Sequence, residues 1–171
     1  MAMQQEVDDW VARAQRSKLD LSRDEDLSIA VMNLISLEEH FFFTAMKTSD
    51  DKYLDMLSAV RGLRTKLLKK LVPSPQGEEW CISKHLLAAS MRLLETGTKE
   101  LQADKEEASA YFTAAFELYS LFFAVNLGEG GVSVKGEAAM KNDTPRNGDA
   151  PGIMQKWSAV VKKLVDCCKE W

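Results

Sequence analysis

Apolar residues return along the first 127 positions at intervals of three and four, the spacing that lines one side of a helix. The pattern predicts a first helix over 3–17, where Met3, Val7, Trp10, Val11 and Ala14 share a face. A second helix starts at Ser22, which with Glu25 has capping-box spacing, and runs to about Lys47. Thr48-Ser49-Asp50-Asp51 is a turn with acids at the next helix start, and a connection this short makes the third helix, over 50–71, antiparallel to the second. The third helix aligns Tyr53, Met56, Leu57, Val60, Leu63, Leu67 and Leu71 as a buried stripe and stops at the segment Val72-Pro73-Ser74-Pro75-Gln76-Gly77.

A fourth helix begins at 75 or 78 and ends near Gly97, or frays on to Leu101. Its two apolar arcs, one through Trp80, Leu87, Met91 and Leu94 and one through Ile82, Leu86 and Leu93, fit an element with two neighbours. Asp104 and Glu107 cap a fifth helix over 105–126, closed by Gly128, whose ring-rich face (Tyr111, Phe112, Phe116, Tyr119, Phe122, Phe123) reads as core.

The pattern lapses at 128–151, a stretch rich in glycine and polar residues that reads as a flexible linker. It resumes at 152–171 as an amphipathic C-terminal helix carrying Trp157, Leu164 and Trp171. That helix either docks back onto the bundle or serves as a tethered arm for another chain. The fold expected is all-α: an antiparallel helical bundle of four to five core helices over 1–127, with an N-terminal helix across it, a linker over 128–151 and the C-terminal helix beyond.

Composition narrows the classes. At 171 residues the chain can bury a core without staples, and 46% apolar with 28% charged residues is ordinary for a globular domain. A net charge of −4 argues against a general grip on nucleic acid. The acidic start is unlike a signal peptide, and no apolar run approaches the roughly 20 residues that span a bilayer, so no membrane association is expected and the expected location is the cytoplasm. Three cysteines, two of them adjacent at Cys167 and Cys168, suit free thiols better than a disulfide framework.

One feature interrupts the grease. The second helix is apolar around most of its circumference, which marks a buried helix, yet Glu38 falls in the middle of its most apolar arc, among Leu34, Phe41, Phe42 and Ala45. The third helix has Arg64 in the same kind of place, with Arg61 on its flank. In an antiparallel hairpin both arginines come within reach of Glu38. A buried carboxylate needs a partner, and an arginine fork supplies two bonds. The pair then either fixes the register of two helices or lines a pocket for a small polar ligand or anion, with Lys84 and His85 of the fourth helix contributing.

Cys81 and His85 are four apart and face one point, and with His40 and Glu39 they would make a chemically sensible zinc site. A di-iron site is not expected, because its Glu-x-x-His must occur on two helices. No phosphate loop, GxSxG elbow or nucleophile with an orienting third group is present. The expectation is therefore a non-enzymatic interaction or scaffold protein that associates with itself or a protein partner through Trp157, Leu164 and Trp171. The alternative is a ligand- or metal-binding bundle built on Glu38, Arg61, Arg64, Lys84 and His85.

Overall fold

The computed structural model describes residues 2–16, 21–127 and 152–164. Among them are six helices and no strand: α1 (Ala2–Arg16), α2 (Ser22–Thr48), α3 (Lys52–Leu71), α4 (Glu79–Glu100), α5 (Lys105–Asn126) and α6 (Ile153–Leu164). The protein is an all-α helical bundle. The linker at 128–151 and the positions Gly128, Cys167, Cys168 and Trp171 lie outside the described residues.

Two antiparallel hairpins form the frame. In the first, Glu38 of α2 meets Arg64 of α3 across a turn at Ser49, which adopts the left-handed conformation (φ 54°) and donates its N–H to the Ala45 carbonyl. In the second, Ser83 meets Asn126 and Ser90 donates to the Ala115 carbonyl, so α4 and α5 run in opposite directions. Asp104 caps α5 as its sequence spacing predicts: one carboxylate oxygen accepts from the N–H groups of Glu106 and Glu107. The start of α2 differs from the one expected, with Ser22 its first helical residue and not its cap. Leu21 takes the N-cap position in a helical conformation, and its burial in the main core decides where the chain turns.

The main core joins both hairpins to α6: Leu21 at the start of α2 with Val31 and Met32 inside it, Leu68 and Val72 around the end of α3, Leu87 of α4, Phe122 and Phe123 of α5, and Val161 of α6. A second cluster unites Val7 of α1 with Ala124, Trp157 and Val160. The C-terminal helix is therefore docked, and its tryptophan at 157 is 1% exposed rather than presented to a partner. The N-terminal helix lies chiefly on α6, not across the core, held there by Glu6–Lys156 and Asp8–Lys163 ion pairs. The hydrogen bond from Lys163 keeps the Asp8 carboxyl below the ordinary carboxylate value. By length and composition α5 is apolar enough to cross a bilayer, contrary to the sequence expectation, but here its two sides are taken by α4 and α6.

Two glycines separate packing from helix propensity. Gly97 does not end α4, which continues to Glu100 with its cap at Leu101; glycine stands at 97 because α5 approaches so closely that a Cβ would lie 2.7 Å from Cε1 of Phe112. Gly62, in the middle of α3, has nothing within 4 Å of such a carbon. Chemical denaturation should show Gly97→Ala destabilising by about 1–3 kcal/mol. The same measurement should show Gly62→Ala stabilising by roughly 0.5–1 kcal/mol, the ordinary helix penalty of glycine removed.

Candidate functional site

The α2–α3 hairpin is a two-helix heptad seam. Val31, Leu34, Glu38, Phe41 and Ala45 of α2 fall on one stripe, and Tyr53, Leu57, Val60, Arg64, Leu67 and Leu71 of α3 on the facing one. Position 38 and position 64 form one layer of that seam. Arg64 Nε donates to Glu38 Oε1 at 2.7 Å and its Nη2 donates to Oε2 at 3.1 Å. The two side chains are 6% and 13% exposed. Fork against fork uses both carboxylate oxygens, so the pair satisfies itself.

Of the other residues the sequence placed with this pair, none joins it. Arg61 is exposed on the flank of α3, because three residues back from Arg64 is about 60° around the helix. Lys84 and His85 of α4 form no ion pair or hydrogen bond with Glu38 or Arg64. Neither cleft described below is lined by Glu38 or Arg64. The pair pins one helix on another; it is not the wall of either cleft.

The zinc set is not assembled. Glu39 reaches across to α4 and pairs with Arg92 at 3.0 Å. His40, one position on, points about 100° away and is exposed. Cys81 and His85 both lie on the exposed side of α4. Among the described residues no three His, Cys, Asp or Glu side chains converge.

Three features escaped the sequence reading. The first is a buried hydroxyl contact: Ser28 Oγ and the Tyr119 hydroxyl lie 2.5 Å apart, and Ser28 also donates to the Glu25 carbonyl. Burial pushes the Tyr119 hydroxyl above the ordinary tyrosine pKa, with Glu25 and Asp26 adding to the shift and the Ser28 contact opposing it.

The second is a pair of clefts separated by Phe112 and Phe116 of α5. One, of about 300 Å³, is apolar and lies between α2, α4 and α5, with Ile29 and Leu94 half-exposed beside it. The other, of about 490 Å³, lies between α5 and α6 and adds Glu117, Gln155, Ser158 and Lys162. Ser158 is 8% exposed and its hydroxyl has no partner, while Lys162 sits 5.3 Å from the centre of the Phe116 ring.

The third is the free end of the first hairpin. A helix apolar nearly all round was expected to be buried, yet Phe42, Phe43 and Met46 are 46%, 56% and 58% exposed. Leu54, Met56 and Leu63 of α3 are exposed as well, so two members of the stripe expected to be buried face solvent. The reason is topological. Ile35, Leu67 and Leu71 pack against the main core, and the Glu39–Arg92 bridge marks how far α4 follows α2. Beyond it, Ala45 is the only buried side chain of the hairpin end. Phe42 and Phe43 meet edge to face at 5.2 Å.

No protein family, no curated protein and no solved structure matches this chain significantly.

Proposed function

We propose that this chain is a non-enzymatic helical interaction protein whose contact surface is the free end of the α2–α3 hairpin. The single observation that carries the reading is the cluster of large apolar side chains there, with Phe43 and Met46 more than half exposed. An exposed apolar patch of that size marks a contact site in a folded protein. The surface expected from sequence, around Trp157 and Leu164, gives way to it, because Trp157 is occupied within the fold. The chemistry favours contact over catalysis: among the described residues Cys81 and His85 share no hydrogen bond, and the buried Glu38–Arg64 pair is self-satisfied. We place the protein in the cytoplasm, where Cys81 would remain a thiol.

The test is Phe43→Asp combined with Met46→Asp in the full chain. Both positions are exposed, so the thermal midpoint should hold within a few degrees. Self-association and capture of protein partners should both be lost. If the variant retains both, the hairpin end is not the contact surface.

The orphaned Ser158 hydroxyl favours a second reading, a small amphiphile in the α5–α6 cleft with its apolar body on Phe112 and Phe116 and an anionic head at Lys162. Titration with medium-chain carboxylates, read by chemical-shift changes at Ser158 and Lys162, would support it; unchanged shifts at millimolar ligand would dismiss it.

A further inference from the structure

Resting on the hairpin end as the contact surface, we infer that its occupant is a second copy of this chain, laid antiparallel along the Leu54 side of α3 with a two-fold axis at the level of position 56. Three observations converge on this arrangement.

The first is the flank itself. At about 100° per residue, Phe42 and Met46 of α2 and Leu54 of α3 fall on one side of the hairpin, with Phe43 at its edge. It is the side on which Ile35, Leu68 and Val72 join the main core. The face is thus a continuation of a working helix–helix groove, and the Glu39–Arg92 bridge marks where the groove is already filled. A visiting helix pair can overlap only the part beyond that bridge.

The second is area. Given their exposures, Phe42, Phe43, Met46 and Leu54 present on the order of 450 Å² of apolar side chain. A stable pairwise interface takes about 800 Å² from each partner, a little over half of it apolar. The patch supplies that apolar share and leaves the rest to a polar rim.

The third is charge. Along α3 the net sign reverses: at the turn Asp50 is neutralised by its pairing with Lys52, which leaves Asp51 and Asp55 as the uncompensated charges there, and Arg61, Lys66, Lys69 and Lys70 stand toward the other end. Asp51, Asp55 and the four basic residues are exposed, and none of these six has an ion pair among the described residues. A parallel copy would set acid against acid. An antiparallel copy centred at the level of position 56 sets Leu54 against the partner's Ser58, and Asp51 against the partner's Arg61, twice by symmetry. A sequence whose charge gradient complements its own reverse recognises itself.

The experiment is sedimentation equilibrium of the full chain over a wide concentration range, with Asp51→Arg, Arg61→Asp and the two combined. Neither residue is buried or paired within the protomer, so circular dichroism should be unchanged. The wild type should dimerise. Each single reversal should weaken the dimer about tenfold or more, and the double reversal should restore most of the loss. A monomeric wild type overturns the inference, as does a double variant whose losses simply add. Met46→Asp separates the two levels of the argument. If the wild type is monomeric but Met46→Asp abolishes capture of another protein, the hairpin end is a contact surface for a foreign partner and only the self-pairing falls. If Met46→Asp leaves both an observed dimer and partner capture intact, both readings fall.

Discussion

Trp157→Ala should destabilise the protein by about 3–5 kcal/mol, the range for truncating a large aromatic in a closed core. Trp157 is 1% exposed and shares its cluster with Val7 of α1, Ala124 of α5 and Val160 of α6. Three elements therefore meet on one indole. The loss should spread beyond α6, because α1 is held chiefly by α6: its Val7 loses a wall, and the Glu6–Lys156 and Asp8–Lys163 bridges lose the helix that carries the lysines. For a chain this long each kcal/mol moves the thermal midpoint by roughly 2–4 °C, so a fall of about 10 °C is expected. Amide exchange should rise in α1 and α6 together. The opposing idea, a C-terminal helix that rests free until a partner arrives, predicts a loss below about 1 kcal/mol and unchanged exchange in α1. Val160 and Val161 are both fully buried as well, which leaves little room for that idea.

Trp157 also shows what a helical pattern conveys and what it does not. Periodicity identified all six helices, because each needs only a local repeat of apolar positions. The bounds of α3 and α5 came out within about two residues, since proline, the Asp104 cap and the short turn at Ser49 are local signals too. The layer formed by positions 38 and 64 was legible for the same reason. A hairpin fixes register, and two charged residues each centred in an apolar stripe have one economical solution.

What periodicity does not carry is which apolar face finds a neighbour. Met56 and Leu63 belong to the same helically spaced stripe as Leu57 and Val60, yet they face solvent, because among the described residues no helix covers that side of α3. Phe42 looks as buried on a helical wheel as Phe41, and the difference lies in where α4 diverges from α2. Of the two ends the sequence allowed for α4, Gly97 or Leu101, the structure takes the later one; the close approach of Phe112 is a tertiary fact, and it selects glycine without ending the helix. The zinc set failed on rotation, since Glu39 and His40 are adjacent in sequence and therefore far apart around the helix.

The second large effect tests the layer itself. Glu38→Leu should cost about 3–5 kcal/mol, because it leaves the Arg64 guanidinium, 6% exposed, without its carboxylate. Arg64→Met should also destabilise, by a smaller amount, since Glu38 is the more exposed of the two and water can reach it. Combining Glu38→Leu with Arg64→Met removes both charges from a layer whose neighbours in the seam are Leu34, Phe41, Val60 and Leu67. That double variant should match the wild type or exceed it by about 1–4 kcal/mol, as replaced buried pairs often do. The coupling energy from the cycle is then large, while the net contribution of the pair to stability is small or negative. Such a combination identifies a device for register. With leucine and methionine in that layer the seam is apolar throughout, and a hairpin sliding by one turn would meet no unpaired charge. Cross-helix contacts between Ala45 and Leu57, read by NMR, should be single-valued in the wild type and heterogeneous in the double variant. Single substitutions costing less than about 1 kcal/mol each would instead place both groups in water, where an ion pair of this length contributes little.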